Sequence, residues 1–433
     1  MLDIIKNALK SPELRKKLLY TLLIVVIFRV GSYIPVPFLD PARLGEIMGD
    51  GNLLGYLDMM TGGALSNATL FAMSITPYIN ASIIMQLLTV AIPPLERLQK
   101  EGEEGRKKIT QITRYVTIGL ALIQALGYYF LLRSPDVNAV TVTTGWHGWL
   151  VMATIILVFT AGASLIMWLG ERINVHGIGN GISILLFAGI ISRLPSAVGS
   201  LYGLWQQALA GETQFFYIVP AIVLIFLAII AFIVVMTNAE RRIPVQYAKR
   251  VVGRKMYGGQ SSHIPIKVNM SGVMPIIFAS SFLSIPGTIK ALLNNPDQNT
   301  FWNQLAKAFD YTGALYAILY FFLIIGFNYF YVSIQYNPIE MANNLRKSNG
   351  AIPGIRPGKP TIEFISKVIG RIVLVGGLFL GAIAVFPIVF SGVTGSNIAL
   401  GGTSILIVVG VALETVRTLE SQMMMRHHKG FLE

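Results

Sequence analysis

The sequence has no cysteine and only five histidines. Without cysteine there are no disulfide bonds, no thiolate nucleophiles, and no zinc, iron–sulfur or redox sites with thiolate ligands. A metal site would need histidine and carboxylate ligands, but the histidines, at positions 147, 176, 263, 427 and 428, are too scattered to define one. We therefore expect neither a metal ion nor another cofactor.

Charged residues are also scarce. They make up 13% of the 433 residues, which is about half the share found in soluble proteins. Hydrophobic residues make up 54%, a composition typical of an integral membrane protein. Ten spans of about 20 residues would use about 200 residues, so no large soluble domain is expected.

Motifs of known catalytic sites are missing as well. The sequence has no HExxH or GxSxG motif and no paired aspartates within its apolar runs, so a membrane protease would have no nucleophile or metal site. The glycine-rich stretch HGIGNGIS at 176–183 lacks the lysine of a phosphate-binding loop and follows no predicted strand. We do not expect an enzyme.

Apolar runs of about 20 residues predict transmembrane helices, and ten such runs follow one another. The N-terminal stretch has no small-residue cleavage site, so we expect the first span to be retained. The fold class is therefore an all-α integral membrane protein. The predicted spans are 18–36, 76–92, 112–132, 148–168, 180–195, 215–237, 270–288, 312–334, 368–390 and 402–419.

The positive charges are distributed unevenly across these spans. Of the 34 Lys and Arg residues, 28 lie on the side that holds both termini and five on the other side. Because Lys and Arg are enriched in cytoplasmic loops, both termini are predicted to be cytoplasmic. The same distribution explains the net charge of +13 without nucleic acid.

Two cytoplasmic loops, 238–268 and 335–367, are unusually long and basic. They are typical of a docking platform, although topogenic signals or binding of anionic lipid headgroups would explain the charge equally well. Basic residues alternate with Val and Tyr in the first loop, which predicts a β-hairpin. A structured hairpin favours a protein or RNA partner over lipid.

Five spans precede residue 200 and five follow it. Because five is odd, equivalent halves, residues 1–195 and 196–433, would have opposite orientations in the membrane, as in folds built from inverted repeats around a central pathway. No repeated motif relates the two halves, so this hypothesis depends on the span count alone.

Residues 62–79 are only moderately apolar, begin with Gly62 and Gly63, and contain Pro77. This pattern predicts a re-entrant half-helix in a cavity on the outer side, because broken backbone at membrane depth must face protein or water. An amphipathic helix on the outer leaflet is the alternative.

The second and seventh spans carry more polar residues than their neighbours. Such side chains usually form hydrogen bonds between helices, but their corresponding places in the two halves favour a seam that can open. The residues concerned are Asn80, Ser82 and Gln86 in the second span and Asn269 and Ser271 in the seventh.

Several stretches, in this order, closely resemble the bacterial SecY family of channel subunits. The resemblance extends from about residue 10 to residue 425 and implies a channel that passes unfolded secretory polypeptides and releases transmembrane segments sideways into the bacterial plasma membrane. The matching stretches are PYINASIIMQLL, KEGEEGRKKITQITRY, MWLGERI, GIGNGIS, ERRIPVQYAKR, KVNMSGVMPIIFASS, GIRPGKPT and GGTSILIVVG.

The resemblance also implies roles for individual residues. The polar residues of the second and seventh spans, named above, would form a lateral gate. Residues 62–73 would form a plug, including Gly62, Gly63, Leu65, Asn67, Leu70 and Phe71. The pore ring would consist of Ile79, Ile83, Ile190, Ile277 and Ile407. Pairs of apolar residues four apart, as at 79 and 83, are too common in transmembrane helices to indicate a ring by themselves.

The partners implied by the resemblance are the small subunits SecE and SecG, the SecA ATPase and the ribosome. Signal peptides and nascent polypeptides would be the substrates, and anionic lipids would surround the bundle. The motor or ribosome would dock on the two long loops through Arg242, Lys249, Arg250 and Arg356.

A secondary transporter of a small solute is the alternative from another functional class. The inverted halves and broken helix would suit one. However, ion-coupled transporters normally keep an ionisable residue near the membrane midplane, whereas Arg29 and Glu414 lie near the ends of their spans. The long basic loops also count against this alternative.

Overall fold

The structure is a computed structural model that describes part of the chain. The described residues are 9–47, 58, 62–133, 137–142, 145–210, 213–247, 250–252, 255–257, 261–293, 313–394 and 402–429.

Nine helices of the described chain precede residue 239. They are α1 (Pro12–Gly31), α2 (Pro41–Ile47), α3 (Thr76–Ala91), α4 (Pro93–Lys100), α5 (Glu103–Arg133), α6 (Gly145–His176), α7 (Gly181–Ile191), α8 (Leu194–Leu209) and α9 (Thr213–Asn238).

A group of short strands and five further helices follow. The strands are β1 (Glu240–Tyr247), β2 (Arg250–Val252), β3 (Lys255–Tyr257), β4 (Ser261–Lys267) and β5 (Gly350–Ala351). The helices are α10 (Met274–Leu293), α11 (Ala314–Gln335), α12 (Pro338–Lys347), α13 (Lys359–Thr394) and α14 (Gly402–Lys429).

Local sequence explains where several helices begin. Proline occupies the first or second position of α1, α3, α4, α8 and α12, where its fixed φ suits a helix and its missing N–H costs no bond. Asparagine caps α7 and α12, because the side chains of Asn180 and Asn337 accept hydrogen bonds from the N–H groups of Ile182 and Ile339 at 3.2 and 3.0 Å.

A helix covers the greater part of each predicted span. Among the described residues, six helices are long and apolar enough to cross a membrane, or seven if the bent pair α3 and α4 is one span. This pair bends by 100°, because Pro93 and Pro94 cannot continue the hydrogen-bond ladder of α3.

Two details of the predicted spans are wrong. The first predicted span ends at residue 36, but α1 ends at Gly31, because Pro35 and Pro37 disfavour helix in the residues around them. The predicted loop after residue 195 contains α8, which packs against α9 through the stacked rings of Trp205 and Phe216, 5.4 Å apart.

The helices pack around separate buried clusters in the two halves. In the N-terminal half, α5 contributes Ala121 and Ala125, and α6 contributes Ile155 and Phe159. Small side chains allow neighbouring membrane helices to approach closely. In the C-terminal half, α10, α11, α13 and α14 surround a second cluster, with Ile276, Tyr320, Leu380 and Leu406 at its centre.

The described strands of the loop 238–268 form the predicted hairpin. Strand β1 pairs with β4 in antiparallel register, with Ile243 opposite Ile264. Ile243 and Val245 of β1 are buried, whereas the alternate residues are exposed, as expected for a sheet with one packed face. That face lies against α13, where Ile365 and Ile369 belong to the same apolar cluster.

Candidate pore and docking surface

The five isoleucines of the predicted ring lie in one apolar cluster, although they come from four different helices. Three of them are almost completely buried: Ile79 is 7% exposed, Ile277 4% and Ile407 2%. The other two, Ile83 and Ile190, are partly buried and pack against the same cluster. Helices from both halves of the chain therefore meet at these side chains.

The cluster is apolar. Its isoleucine side chains carry no charge and can neither donate nor accept a hydrogen bond. A narrow passage lined by such groups excludes water and ions through dewetting when it is empty. Among the described residues, no group of three or more His, Asp or Glu side chains that would hold a metal ion is found.

The half-helix predicted over residues 62–79 is wrong in its secondary structure as far as residue 75. Residues 62–75 form consecutive turns, and regular helix begins at Thr76. Positive φ angles explain the break: 71° at Gly62, 87° at Gly63, 49° at Ala68 and 49° at Ser74. A right-handed helix cannot contain residues in the left-handed region.

The segment 62–75 is nevertheless tucked into the bundle, as predicted. Leu65 and Phe71 are each 1% exposed, Leu70 is partly buried, and Asn67 is exposed. An amphipathic helix lying on the outer leaflet is therefore wrong for this segment, because such a helix would leave its polar face in water.

Contacts on two sides hold the segment in place. The Phe71 ring stacks on Phe28 of α1, with ring centroids 5.6 Å apart. The N–H of Leu70 donates to the carbonyl oxygen of Ile34 at 2.9 Å. Phe71 and Ile75 also belong to the apolar cluster of the five isoleucines. The segment thus lies directly against the candidate constriction.

The packing of Phe71 also explains why residue 31 of α1 is a glycine. A Cβ atom on Gly31 would lie 2.1 Å from Cε2 of Phe71, which is far closer than nonbonded carbon atoms approach. Glycine at position 31 therefore allows the ring to lie against the helix backbone.

The polar residues of the second span lie on α3. Asn80, Ser82 and Gln86 are partly buried, and Nε2 of Gln86 lies 3.4 Å from Oγ of Ser82. Helix α3 contacts α10, the helix of the seventh predicted span. The structure therefore brings the two polar spans side by side.

Asn269 and Ser271 were predicted at the start of the seventh span, but they lie in the bend that precedes α10. The helix begins only at Met274, because Gly272 has a φ of 63° and cannot be part of it. Ser271 is buried. The side-chain oxygen Oδ1 of Asn269 is buried and has no hydrogen-bond partner among the described residues.

The two long basic loops, 238–268 and 335–367, meet in one sheet. Strand β1 of the first loop pairs with β4 and also with β5 of the second loop, where Tyr247 lies opposite Gly350. Gly350 fits because a Cβ atom there would lie 3.1 Å from the Tyr247 ring. The pairing places the two predicted docking loops next to each other.

Three of the four predicted docking residues lie among the residues that the structure describes. Arg242 is exposed, and its Nε donates to Glu240 at 2.7 Å. Arg356 is exposed in the turn before α13, and its carbonyl oxygen accepts a hydrogen bond from Thr361 at 2.9 Å. Arg250 is the first residue of β2. Lys249 lies outside the described residues.

Burial and neighbouring charges change the pKa of a lysine at the base of the hairpin. Burial lowers the pKa of the Lys267 ammonium at the end of β4, and the nearby positive charge of Arg417 lowers it further. The carboxylates of Glu240 and Glu414 act in the opposite direction. The base of the hairpin therefore lies close to the part of α14 that contains Glu414 and Arg417.

Sequence comparisons decide the family. The sequence profile of the SecY family matches residues 69–416. A protein translocase subunit SecY from Streptomyces scabiei is 46% identical, and the alignment covers 100% of both chains. The chain belongs to the SecY family. Another protein translocase subunit SecY, from Thermotoga maritima, is 42% identical, with 99% of this chain and 97% of the relative covered.

Solved structures agree with the SecY fold. A structure described as that of a protein conducting channel superposes with a TM-score of 0.66 at 19% identity, covering 96% of each chain. Sec61 in the canine ribosome-channel complex from the endoplasmic reticulum superposes with a TM-score of 0.62, also at 19% identity and 96% coverage of each chain.

One buried residue of this SecY family member was missed by the sequence analysis. Asn328 of α11 is 2% exposed. It accepts a hydrogen bond from Oγ of Ser271, and its Nδ2 donates to the carbonyl oxygen of Val373 at 2.7 Å. A single carboxamide within the apolar run FFLIIGFNYFY was the signal that would have identified it.

Proposed function

We propose that this chain is a protein-conducting channel. It would pass unfolded secretory polypeptides across the bacterial plasma membrane and release transmembrane segments sideways into the lipid. The observation that carries the proposal is the cluster of five isoleucines contributed by α3, α7, α10 and α14. Membership of a family whose curated relatives are bacterial translocase subunits supports it.

An isoleucine constriction suits transport of many different sequences. Because the side chains make no polar contacts, they select no particular residue in a passing chain. They also block ions hydrophobically when no chain is present. The ring would therefore consist of the five residues predicted for it, and in the resting state it would be narrow, as the burial of Ile79, Ile277 and Ile407 indicates.

The segment 62–75 would act as the plug. Its burial against the isoleucine cluster and against α1 supports this role. In an arrangement of ten spans as two inverted halves, the segment would occupy the outer side of the passage. A translocating chain would then have to displace it.

The contact between α3 and α10 would be the lateral gate. Asn80, Ser82 and Gln86 on α3 and Asn269 and Ser271 before α10 make the separated surfaces less costly to expose to water than purely apolar helices. An apolar segment inside the pore would leave through this seam because it partitions favourably into lipid, whereas a polar segment would continue across.

The combined surface of β1, β5 and the turn containing Arg356 would be the docking site of the driving partner. Its exposed arginines, Arg242 and Arg356, suit either the SecA ATPase or a ribosome, and Lys249 and Arg250 would extend the surface. A Sec61 neighbour is described in a ribosome-channel complex. SecE and SecG would flank the bundle, anionic lipids would contact it, and both termini would be cytoplasmic.

The proposal is tested by photocrosslinking to a stalled secretory precursor. The complete translocase is reconstituted in vesicles with SecA and ATP, and a photoreactive residue replaces Ile83. We expect an adduct with the precursor that depends on both SecA and ATP. A photoreactive residue at Leu224, which is 68% exposed on α9, serves as the lipid-facing control and should give no such adduct.

Two outcomes would contradict the channel. The first is the absence of adducts at positions 83, 190 and 277 in protein that folds and inserts normally. The second is stoichiometric coupling of a small solute to an ion gradient in the same vesicles, which would favour the secondary transporter.

A further inference from the structure

A buried ion pair connects the outer segment to the helix that carries Ile190. The side chain of Asp58, four residues before Gly62, is 2% exposed and pairs with Arg193, whose side chain is 36% exposed. Arg193 lies between α7 and α8, three residues after Ile190. Among the five ion pairs found between described residues, Asp58 is the most deeply buried partner.

The Asp58 residue also binds the segment 62–75 itself. Its Oδ1 accepts a hydrogen bond from the N–H of Ser66 at 2.7 Å. Its carbonyl oxygen accepts another from the N–H of Gly63 at 3.0 Å. Asp58 therefore joins the beginning of the segment to Arg193 through its carboxylate.

Close backbone packing accompanies the ion pair. Gly62 has a φ of +71°, and a Cβ atom there would lie 2.5 Å from the carbonyl oxygen of Gly189 on α7. The hydroxyl of Ser192 lies 2.6 Å from that same oxygen and 3.4 Å from the carbonyl oxygen of Gly62. The start of the segment is thus seated directly on the end of α7.

We propose that Arg193 is a positioning residue that latches the segment 62–75 in the closed state through Asp58. The inference rests on the proposed channel function. Moving the segment away from the ring separates the two charges and leaves a carboxylate in a poorly hydrated site, which is costly. Because Ile190 and Arg193 are on adjoining turns, displacement of the end of α7 by a chain entering the ring also pulls on the latch.

Asp58 is more deeply buried than Arg193, so replacing one or the other should release the segment 62–75 to a different extent. In Arg193→Gln, the buried Asp58 carboxylate loses its cation, so the closed state is strongly destabilised. In Asp58→Asn, the remaining Arg193 is partly exposed and can be hydrated, while the asparagine oxygen can still accept the bond from Ser66. Arg193→Gln should therefore release the segment more than Asp58→Asn does.

The position of the segment can be measured directly because the chain has no native cysteine. Ala64→Cys, at a site 1% exposed, is labelled from the outer side with a membrane-impermeant maleimide in the reconstituted complete translocase at rest. We expect the labelling rate to rise on the order of tenfold with Arg193→Gln, to rise less with Asp58→Asn, and to return towards the parental rate with Arg193→Lys.

A second ion pair provides a matched control. Arg43 and Asp40 are 3.7 Å apart in the same half of the chain, with side chains 53% and 40% exposed, and exposed pairs contribute little. Arg43→Gln removes one positive charge, as Arg193→Gln does, and should leave the labelling rate unchanged. Resting ion conductance in planar bilayers should follow the same order among the variants.

The latch is wrong if Arg193→Gln and Asp58→Asn both fold normally and neither changes labelling of position 64. An equal rise with Arg43→Gln would also overturn it, because the effect would then be one of net charge. The labelling rate reports the position of the segment 62–75 without requiring transport, so the two proposals are tested separately. Labelling can contradict the latch while the precursor still crosslinks at position 83. Conversely, crosslinking can contradict the channel while labelling supports the latch.

Discussion

The guanidinium of Arg417 on α14 donates to Oδ1 of Asn238, the last residue of α9, at 2.6 Å. It also donates to the carbonyl oxygen of Thr237 at 3.2 Å. Strand β1 of the hairpin begins two residues after Asn238, and Ile407 lies ten residues before Arg417 on the same helix, about 15 Å along its axis. One helix therefore contacts both the base of the docking surface and the candidate ring.

Arg417→Gln should weaken the connection between docking and the ring. We expect transport driven by SecA to fall several-fold, because the end of α9, which leads into the hairpin, loses two hydrogen bonds to α14. Resting ion conductance should stay unchanged. The measurement is ATP-dependent precursor uptake into vesicles. Ser421→Ala, an exposed site one turn further along α14, is the control. Normal uptake by Arg417→Gln would show that this contact does not transmit docking.

Replacing ring isoleucines should make the closed channel leak. Ile83→Ser and Ile277→Ser add a hydroxyl and remove apolar volume, so water and ions enter more easily, and we expect resting conductance in planar bilayers to rise on the order of tenfold. Ile318→Ser, at a site on α11 that is 54% exposed, should have no effect. Unchanged conductance in both ring variants would place the ion barrier elsewhere.

Reversing the charge at Arg356 should abolish partner-driven transport. Arg356 is exposed in the turn before α13, and Arg356→Glu presents a repulsive charge to any partner that recognises the basic surface. We expect uptake to fall at least about tenfold, the equivalent of ~1.4 kcal/mol in coupling. Lys347→Glu makes the same charge change at an exposed site of the same loop and should retain transport.

Replacing Asn328 should lower the thermal stability of the protein more than it changes which precursors are transported. Asn328→Leu removes the bond to the carbonyl oxygen of Val373 and leaves the buried hydroxyl of Ser271 without its acceptor, and a buried unsatisfied group costs about 1–3 kcal/mol. Thermal unfolding in detergent should therefore show a lower transition temperature. Asn343→Leu, at an exposed site on α12, should leave it nearly unchanged. Equal transition temperatures in the two variants would contradict the structural role.

Several elements of the fold were predictable because their signal is local. The run of apolar residues from 148 to 168 is long enough to predict α6 by itself. The alternation around Ile243 and Val245 predicted β1, since period-two patterning needs only one packed face. Arg356 and the ring isoleucines were assigned by their resemblance to family motifs, and the isoleucines do meet in one cluster.

The backbone conformation of the segment 62–75 could not be predicted from local sequence. Its glycines and Pro77 indicated a broken segment tucked into the bundle, and the segment is buried, but the sequence did not show the turns set by positive φ at Gly62, Gly63 and Ala68. Glycine permits such angles without requiring them. Whether the backbone adopts them depends on neighbours such as Phe28 and Gly189, which are distant in sequence.

The amino-acid sequence by itself determined that the chain is a membrane protein and where most helices lie, because hydropathy and proline act over a few residues. Only the tertiary structure decided that Asp58 meets Arg193, that Ser271 meets Asn328 and that β1 pairs with β5. Each of these contacts joins residues far apart in the chain, and their closeness follows from how whole helices pack.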